Sequence, residues 1–401
     1  MRRDNAMIEV TIDGALFEGW TGAEVELDMK EFSARFSLYC HDQEASAAAL
    51  AHVHSAKNKR LQRRAAVSIK VDGVTVLNGR IEKRSSNIEA AFADITVEGR
   101  CKLGDLVDCT ALVDDTPAEM HNVKLEDAVA RIIKPYGIGV RTEIDTGAPF
   151  PRYSIDLDES PFTAIEKGAR QRQARVLSDG IGNVVITRSG GTRAADAITL
   201  PGNVLKASID ESDEQSYSKT IVRGTSERAG KKRGKASLDT TAEPLLPADR
   251  AAGDGSATRT ERAGTAVTGI AEDEEIGRYR PKVYLARTKA DHDSARAEAE
   301  WRRNTARGAA AEVTYIRRGH SVEGKLWRPN TIVPVSDAFN DINRDMLISK
   351  VTFIQNNDDG QITSLGVISP ESFEKGEPKK KQRKNKVAKQ KKALDTTAER
   401  L

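Results

Sequence analysis

Aromatic residues make up only 5% of this 401-residue chain, and it has three cysteines. So few large rings fit a soluble chain with a large surface-to-core ratio or long solvated loops, and the length suggests two to four domains. Cys40, Cys101 and Cys109 are odd in number and form no C-x-x-C pair. That pattern indicates neither a disulfide framework nor a zinc site and leaves buried reduced thiols as the expectation. No apolar run approaches the length of a membrane span, and the opening MRRDNAM lacks the apolar block of a secretory signal. The chain is therefore expected to be made, and at first kept, in the cytoplasm.

Catalytic signatures are also missing. There is no Gly-x-Ser-x-Gly and no P-loop. Gly137-Ile138-Gly139 and Gly180-Ile181-Gly182 lack the third glycine and following helix of a dinucleotide loop, so they are expected to be turns. His52-Val53-His54 ends an Ala-rich helix with no acid or cysteine at ligand spacing and is assigned to the surface. Asp156, Asp158 and Glu159 lack the alternating ligands and central glycine of a calcium loop and suit the solvated start of a helix. Glu272 to Glu275 is expected to be an exposed charged edge. Nothing here would hold a transition state, so the expectation is no enzyme, no cofactor and no metal.

Charge is unevenly spread. The formal net charge is +3, yet Lys379, Lys380, Lys381, Arg383, Lys384, Lys386, Lys389, Lys391 and Lys392 lie together with no acid among them, leaving −6 for the rest. A mildly acidic body with a disordered basic tail (373–401) is not a uniformly basic nucleic-acid-binding domain. The segment Lys379 to Lys392 can bind DNA or RNA by counterion release, or serve instead to keep the chain soluble or to grip an acidic partner protein; it has no aromatic residue on which a base could stack.

Hydrophobic patterning predicts a β-rich α+β chain. Alternation at Ile8, Val10 and Ile12, then Val25 to Met29, Phe32 to Cys40, Val67 to Val71 and Val74 to Val97 predicts a first small antiparallel β-barrel over 1–105, with a helix at Ala45 to Ala56 and a solvated basic cluster at Lys57 to Arg64. Asp13-Gly14 and Asp72-Gly73 are hairpin signals. Leu125, Ala128, Val129, Ile132 and Ile133 share one helix face; Ser160-Pro161 opens a second helix, and a hairpin follows through Asp179 to Gly182. These form an α+β module over 106–200. A second barrel is expected over 201–372. It carries a mobile loop at 225–264 and an Ala-rich helix at 294–307, in which Ala295, Ala299, Trp301 and Ala306 are candidates for a subunit interface. Trp327, between strands and near Pro329, suits a core plug better than an interface anchor. The hexamer LDTTAE occurs at Leu238 to Glu243 and again at Leu394 to Glu399, with no physical reason evident.

The stretch from Gly319 to Pro370 carries Gly324, Leu326, Trp327, Pro329 and Asn330, then Val333, Val335, Asp341, Met346, Leu347, Ile348 and Val351. In that order and spacing it resembles the last barrel of the Mu-like phage baseplate hub proteins, relatives of the late-control tail proteins of contractile-tailed phages. SPFTAIEKGARQRQARVLSDGIGNVVITR, from Ser160, resembles the middle module of the same family. The resemblance implies a structural hub: a homotrimer of six similar barrels, joining tail tube to central spike and letting DNA or the tape-measure protein pass. Its implied partners are the spike, the tube, the tape-measure protein and other baseplate proteins, and its implied location is the virion tail. The alternative is a nucleic-acid-binding accessory protein acting through the basic arm.

Overall fold

The computed structural model describes residues 7–44, 46–89, 92–113, 116–172, 174–225, 266–286 and 292–370. The calls on the loop 225–264, the basic tail and both copies of the hexamer lie wholly or almost wholly outside them. Five helices are described: α1 (Ala47–Arg60), α2 (Asp105–Asp108), α3 (Leu125–Ile133), α4 (Pro161–Gln171) and α5 (His292–Ala310).

Alternating apolar residues build the first strands. Ile8–Ile12 buries Ile8, Val10 and Ile12. It turns at Asp13-Gly14, whose φ angles of 47° and 80° are left-handed. Asp72-Gly73, at 50° and 77°, repeats the device between Ala66–Val71 and Val74–Ile88. Such turns match the twist of two-residue hairpins. Ser46 caps α1 by accepting the Ala49 N–H. The helix runs on to Arg60, through half of the cluster expected to be merely solvated. Lys57 bonds Asp42, and Arg60 donates to the carbonyls of Ala15 and Leu16 and lies over the Phe17 ring.

The long strand Ile342–Asn356 governs the architecture. Its first half pairs with Thr331–Asp337 and its second half with Gly22–Asp28, while Gly360–Ile368 runs along the other side. A bulge between Ile348 and Lys350 marks the change of neighbour. Both ends of the chain therefore enter one 14-stranded sheet. The two separate antiparallel barrels predicted from the sequence are replaced by one continuous, β-rich ladder, into which Thr192–Arg193 and Ile198–Leu200 pair in parallel. The physical reason is simple: period-2 alternation identifies a strand and its buried face, but not which strand lies beside it.

Lys219–Thr225, Ala266–Glu272 and Pro281–Leu285 form a separate three-stranded sheet, covered by α5. Val222, Val267, Ala271, Ala295 and Ala299 make its own small core. The Ala-rich helix is thus part of a unit with its own sheet rather than a lone insertion in a barrel. Between the two ends of the great sheet, α3 and α4 pack against each other beside two small sheets, Glu119–Val123 with Phe150–Ser154, and Gly139–Thr142 with Asn183–Thr187 and Arg175–Ser178.

Candidate assembly surfaces

At the seam between Gly22–Asp28 and Ile342–Asn356, charges interlock. Lys350 Nζ lies 2.6 Å from Glu26, and Lys30 Nζ is bonded to Glu312. Burial pushes the Asp28 carboxyl up, against the pull of the Lys30 N–H and of Lys350. Burial works against the Lys350 ammonium, but Glu26, Asp28 and Glu312 around it raise its pKa overall. Beside the seam is a crevice of about 610 Å³ lined by Met29 from the first strands, Arg141 and Ile144 from the middle module, and Arg328 and Asn330 from the last segment. Burial lowers the pKa of Arg328, with Asp179 opposing. This crevice joins three parts of the chain.

The structure also places the residues singled out by sequence. Ala295 and Ala299 are fully buried against their own sheet. There α5 approaches so closely that a Cβ on Gly269 would stand 2.1 Å from the Ala295 carbonyl carbon. The small-residue face does meet another surface, but within the chain, so these two residues are covered. Trp301 is half-buried with Arg170 of α4 over its ring, 5.5 Å from the centroid, and Ala306 is half-buried. Lys379 through Lys392 lie outside the described residues. Trp327 is buried, with Arg317 4.9 Å from its ring centroid.

Three charge assignments change. His54 is buried, not superficial, because it shares an inward stripe of α1 with Leu50; His52 is exposed. Glu159 is buried and paired with Lys167 at 2.7 Å, while Ser160 caps α4 by accepting the Thr163 N–H. Asp273 is buried against Arg307, although Glu272, Glu274 and Glu275 are exposed. Gly180 and Gly182, at φ 78° and 130°, do form a turn, with Asp179 Oδ1 accepting the N–H groups of Ile181, Gly182 and Asn183. Cys40 and Cys101 are buried free thiols, whereas Cys109 is exposed. Among the described residues, no group of three or more His, Cys, Asp or Glu is placed to hold a metal, and no helix is long and apolar enough to cross a membrane.

Sequence reasoning missed the open edges. Among the described residues, Val204–Glu211 ends the great sheet with one neighbour, and Leu205 and Ile209 are exposed. Among the described residues, Pro281–Leu285 likewise ends the small sheet with Val283 and Leu285 exposed, and Tyr279 just before it is 87% exposed. Strands paired on one side only and bearing apolar side chains are template edges that proteins normally cover.

Comparison with known proteins shows what these surfaces belong to. Residues 7–101 match the N-terminal domain of Mu phage baseplate assembly protein GpP-like chains. Residues 103–188 match the second domain of baseplate hub protein gp44-like chains, and 291–376 the fourth domain of GpP. Baseplate hub protein gp44 of Escherichia phage Mu is 28% identical over 372 residues, 91% of this chain and 88% of that protein. The chain belongs to the Mu-like phage baseplate hub family. This hub chain also shares its fold with solved tail proteins. The 43 kDa tail protein of prophage MuSo2 from Shewanella oneidensis aligns over 92% of this chain and 99% of its own, with 25% identity and a TM-score of 0.73. The tail protein from Neisseria meningitidis MC58 aligns over 91% and 98%, with 15% identity and a TM-score of 0.67. The hub chain is accordingly a bacteriophage tail structural protein, and its open edges belong to a component of a baseplate.

Proposed function

We propose that this chain forms the trimeric hub ring of a contractile tail baseplate, joining the tail tube to the central spike and leaving a lumen for DNA or the tape-measure protein. The observation that carries the reading is the long strand Ile342–Asn356, which draws the beginning and end of the chain into one sheet. A part that transmits load between tube and spike gains from such a cross-braced sheet, because neither end can move without breaking the same ladder. The open edges Val204–Glu211 and Pro281–Leu285 are the proposed places where neighbours add on, with the half-buried Trp301 and Ala306 of α5 as further candidates. Closed cyclic symmetry joins different patches of successive copies, which suits two unlike edges.

In this reading the chain is synthesised in the host cytoplasm and resides in the virion tail, with spike, tube, tape-measure and other baseplate proteins as partners. Its work is assembly rather than catalysis. Light scattering on the purified chain, with negative-stain electron microscopy, tests it. With the spike present, a threefold ring with a central hole is expected, in a complex holding three copies of the 43.7 kDa chain in addition to the mass of the spike. A monomer that stays monomeric in the presence of spike and tube proteins rejects the ring.

A further inference from the structure

Helix α1 lies over the far end of the hairpin formed by Val74–Ile88 and Phe92–Cys101. Between them is a cleft of about 450 Å³ with Leu50, Ile88 and Ala93 among its walls. His54 lines this cleft and is only 6% exposed. Its Nε2 meets Ser86 Oγ at 3.1 Å, but its Nδ1 is buried with no partner among the described residues. One turn further along α1, Asn58 lines the same cleft, and its Oδ1 is likewise buried without a partner among the described residues. Buried polar atoms are nearly always satisfied, so two orphans one helical turn apart on one cavity mark a place where a ligand completes them. With the Ser86 hydroxyl donating to Nε2, Nδ1 carries the ring proton and donates, while the Asn58 oxygen accepts. A primary carboxamide, with an acceptor and a donor side by side, is complementary to that pair.

The rim supplies a second constraint. Lys59 and Arg84 line it with exposed side chains. Neither has an ion pair among the described residues, and Glu89 is the acid beside them. An incoming segment with carboxylates flanking the carboxamide therefore meets favourable charge.

We infer that the cleft between α1 and this hairpin is a docking pocket for a glutamine or asparagine side chain carried between acidic residues on a partner protein of the tail. The inference rests on the baseplate reading for the nature of the partner, but its chemistry does not depend on the oligomeric state.

The test uses full-length chain with ¹³C-labelled histidine rings, titrated with three capped tripeptides: Asp-Gln-Asp, Asp-Leu-Asp and Lys-Gln-Lys. Asp-Gln-Asp is expected to move the His54 ring signals saturably, and the other two to bind about tenfold more weakly. Asn58→Ala is expected to abolish the preference for glutamine over leucine. Lys59→Glu with Arg84→Glu, both on the exposed rim and safe for folding, is expected to weaken Asp-Gln-Asp about tenfold and reverse the preference against Lys-Gln-Lys. Should Asn58→Ala unfold, the rim double variant still decides. Unmoved His54 signals with all three peptides, or three indistinguishable titrations, would mean that water alone fills the cleft and would overturn the proposal. A failed ring in light scattering leaves this titration readable, so the two proposals fail separately.

Discussion

Ile8 donates its backbone N–H to Oε1 of Gln355, 2.8 Å away and 347 residues later in the chain. The first strand would otherwise present that donor on an unpaired edge. A side chain from the last hairpin therefore finishes what the ladder leaves open, and it binds the start of the chain to the strand that already holds Gly22–Asp28. Gln355→Ala leaves the N–H of the fully buried Ile8 without its acceptor. The expected cost is about 1–3 kcal/mol, the penalty of an unsatisfied buried donor. Urea unfolding measures it, and faster amide exchange at Ile8 than at Val10 locates it.

Gly269 sits where the backbone of α5 rests on its sheet. Any side chain there meets the Ala295 carbonyl, which belongs to helix backbone and cannot swing aside. Gly269→Val is expected to destabilise by about 1–3 kcal/mol through overpacking. Because this unit has its own core of Val222, Val267, Ala271, Ala295 and Ala299, hydrogen exchange should quicken in α5 and spare Ile342–Asn356. Uniform loss of protection across both would contradict an independent core.

His320 is fully buried, its Nδ1 paired with Thr363 Oγ1 at 3.2 Å and its ring edge-on to Phe353. Burial lowers its pKa below the ordinary histidine range, with Asp72 opposing. A folded pKa below the unfolded one means that the unfolded chain takes up the proton first. The contribution of this group is complete above the ordinary value of 6.5 and is lost as pH falls through that value toward the lowered one. Stability should drop by at most ~1.4 kcal/mol per pH unit in that window, the limit for one proton. Urea midpoints from pH 7.5 to 5 check the slope; His320→Gln should flatten it, and an unchanged slope would assign the effect elsewhere.

How far these contacts could be foreseen depended on their range. Turns written in two residues were legible: Asp13-Gly14 and Asp72-Gly73 each dictate a left-handed pair. Ser160 before Pro161 likewise announced α4, and Leu125 to Ile133 showed its buried face by spacing alone. The crossing of Gly22–Asp28 with Ile342–Asn356 was not legible, since nothing within either segment names a partner more than three hundred residues distant. The lack of a metal-ligand partner speaks against a metal site but not against burial, and His54 is buried because it lies one turn from Leu50 on the inward stripe of α1. Ala295 and Ala299, candidates for a subunit interface by composition, pack against their own sheet; composition cannot distinguish a neighbour in the same chain from one in another.

Trp327 offers a sharper measure of the last segment. Its ring is buried under the Arg317 guanidinium, which also pairs with Asp196 at 2.7 Å. Trp327→Ala is expected to cost about 3–5 kcal/mol, the usual range for emptying a buried aromatic site. Trp327→Phe, which keeps most of the volume, should recover most of that in the same urea experiment. If the alanine variant were as stable as the parent chain but failed to assemble, the ring would be an interface anchor rather than a core plug.

The basic tail calls for a different readout, because its nine cations contain no aromatic residue and so offer charge without stacking. Removing residues 376–401 should leave the unfolding transition of residues 7–370 unchanged, since the interlocked sheet is completed by Gly360–Ile368. It should also reduce affinity for a DNA duplex and for polyglutamate alike. For the duplex, the slope of log K against log salt should fall in magnitude by about 0.9 for each phosphate contact removed. Loss of DNA binding alone, with polyglutamate binding intact, would make the arm a nucleic-acid reader. Loss of polyglutamate binding alone would make it a grip for an acidic protein of the tail.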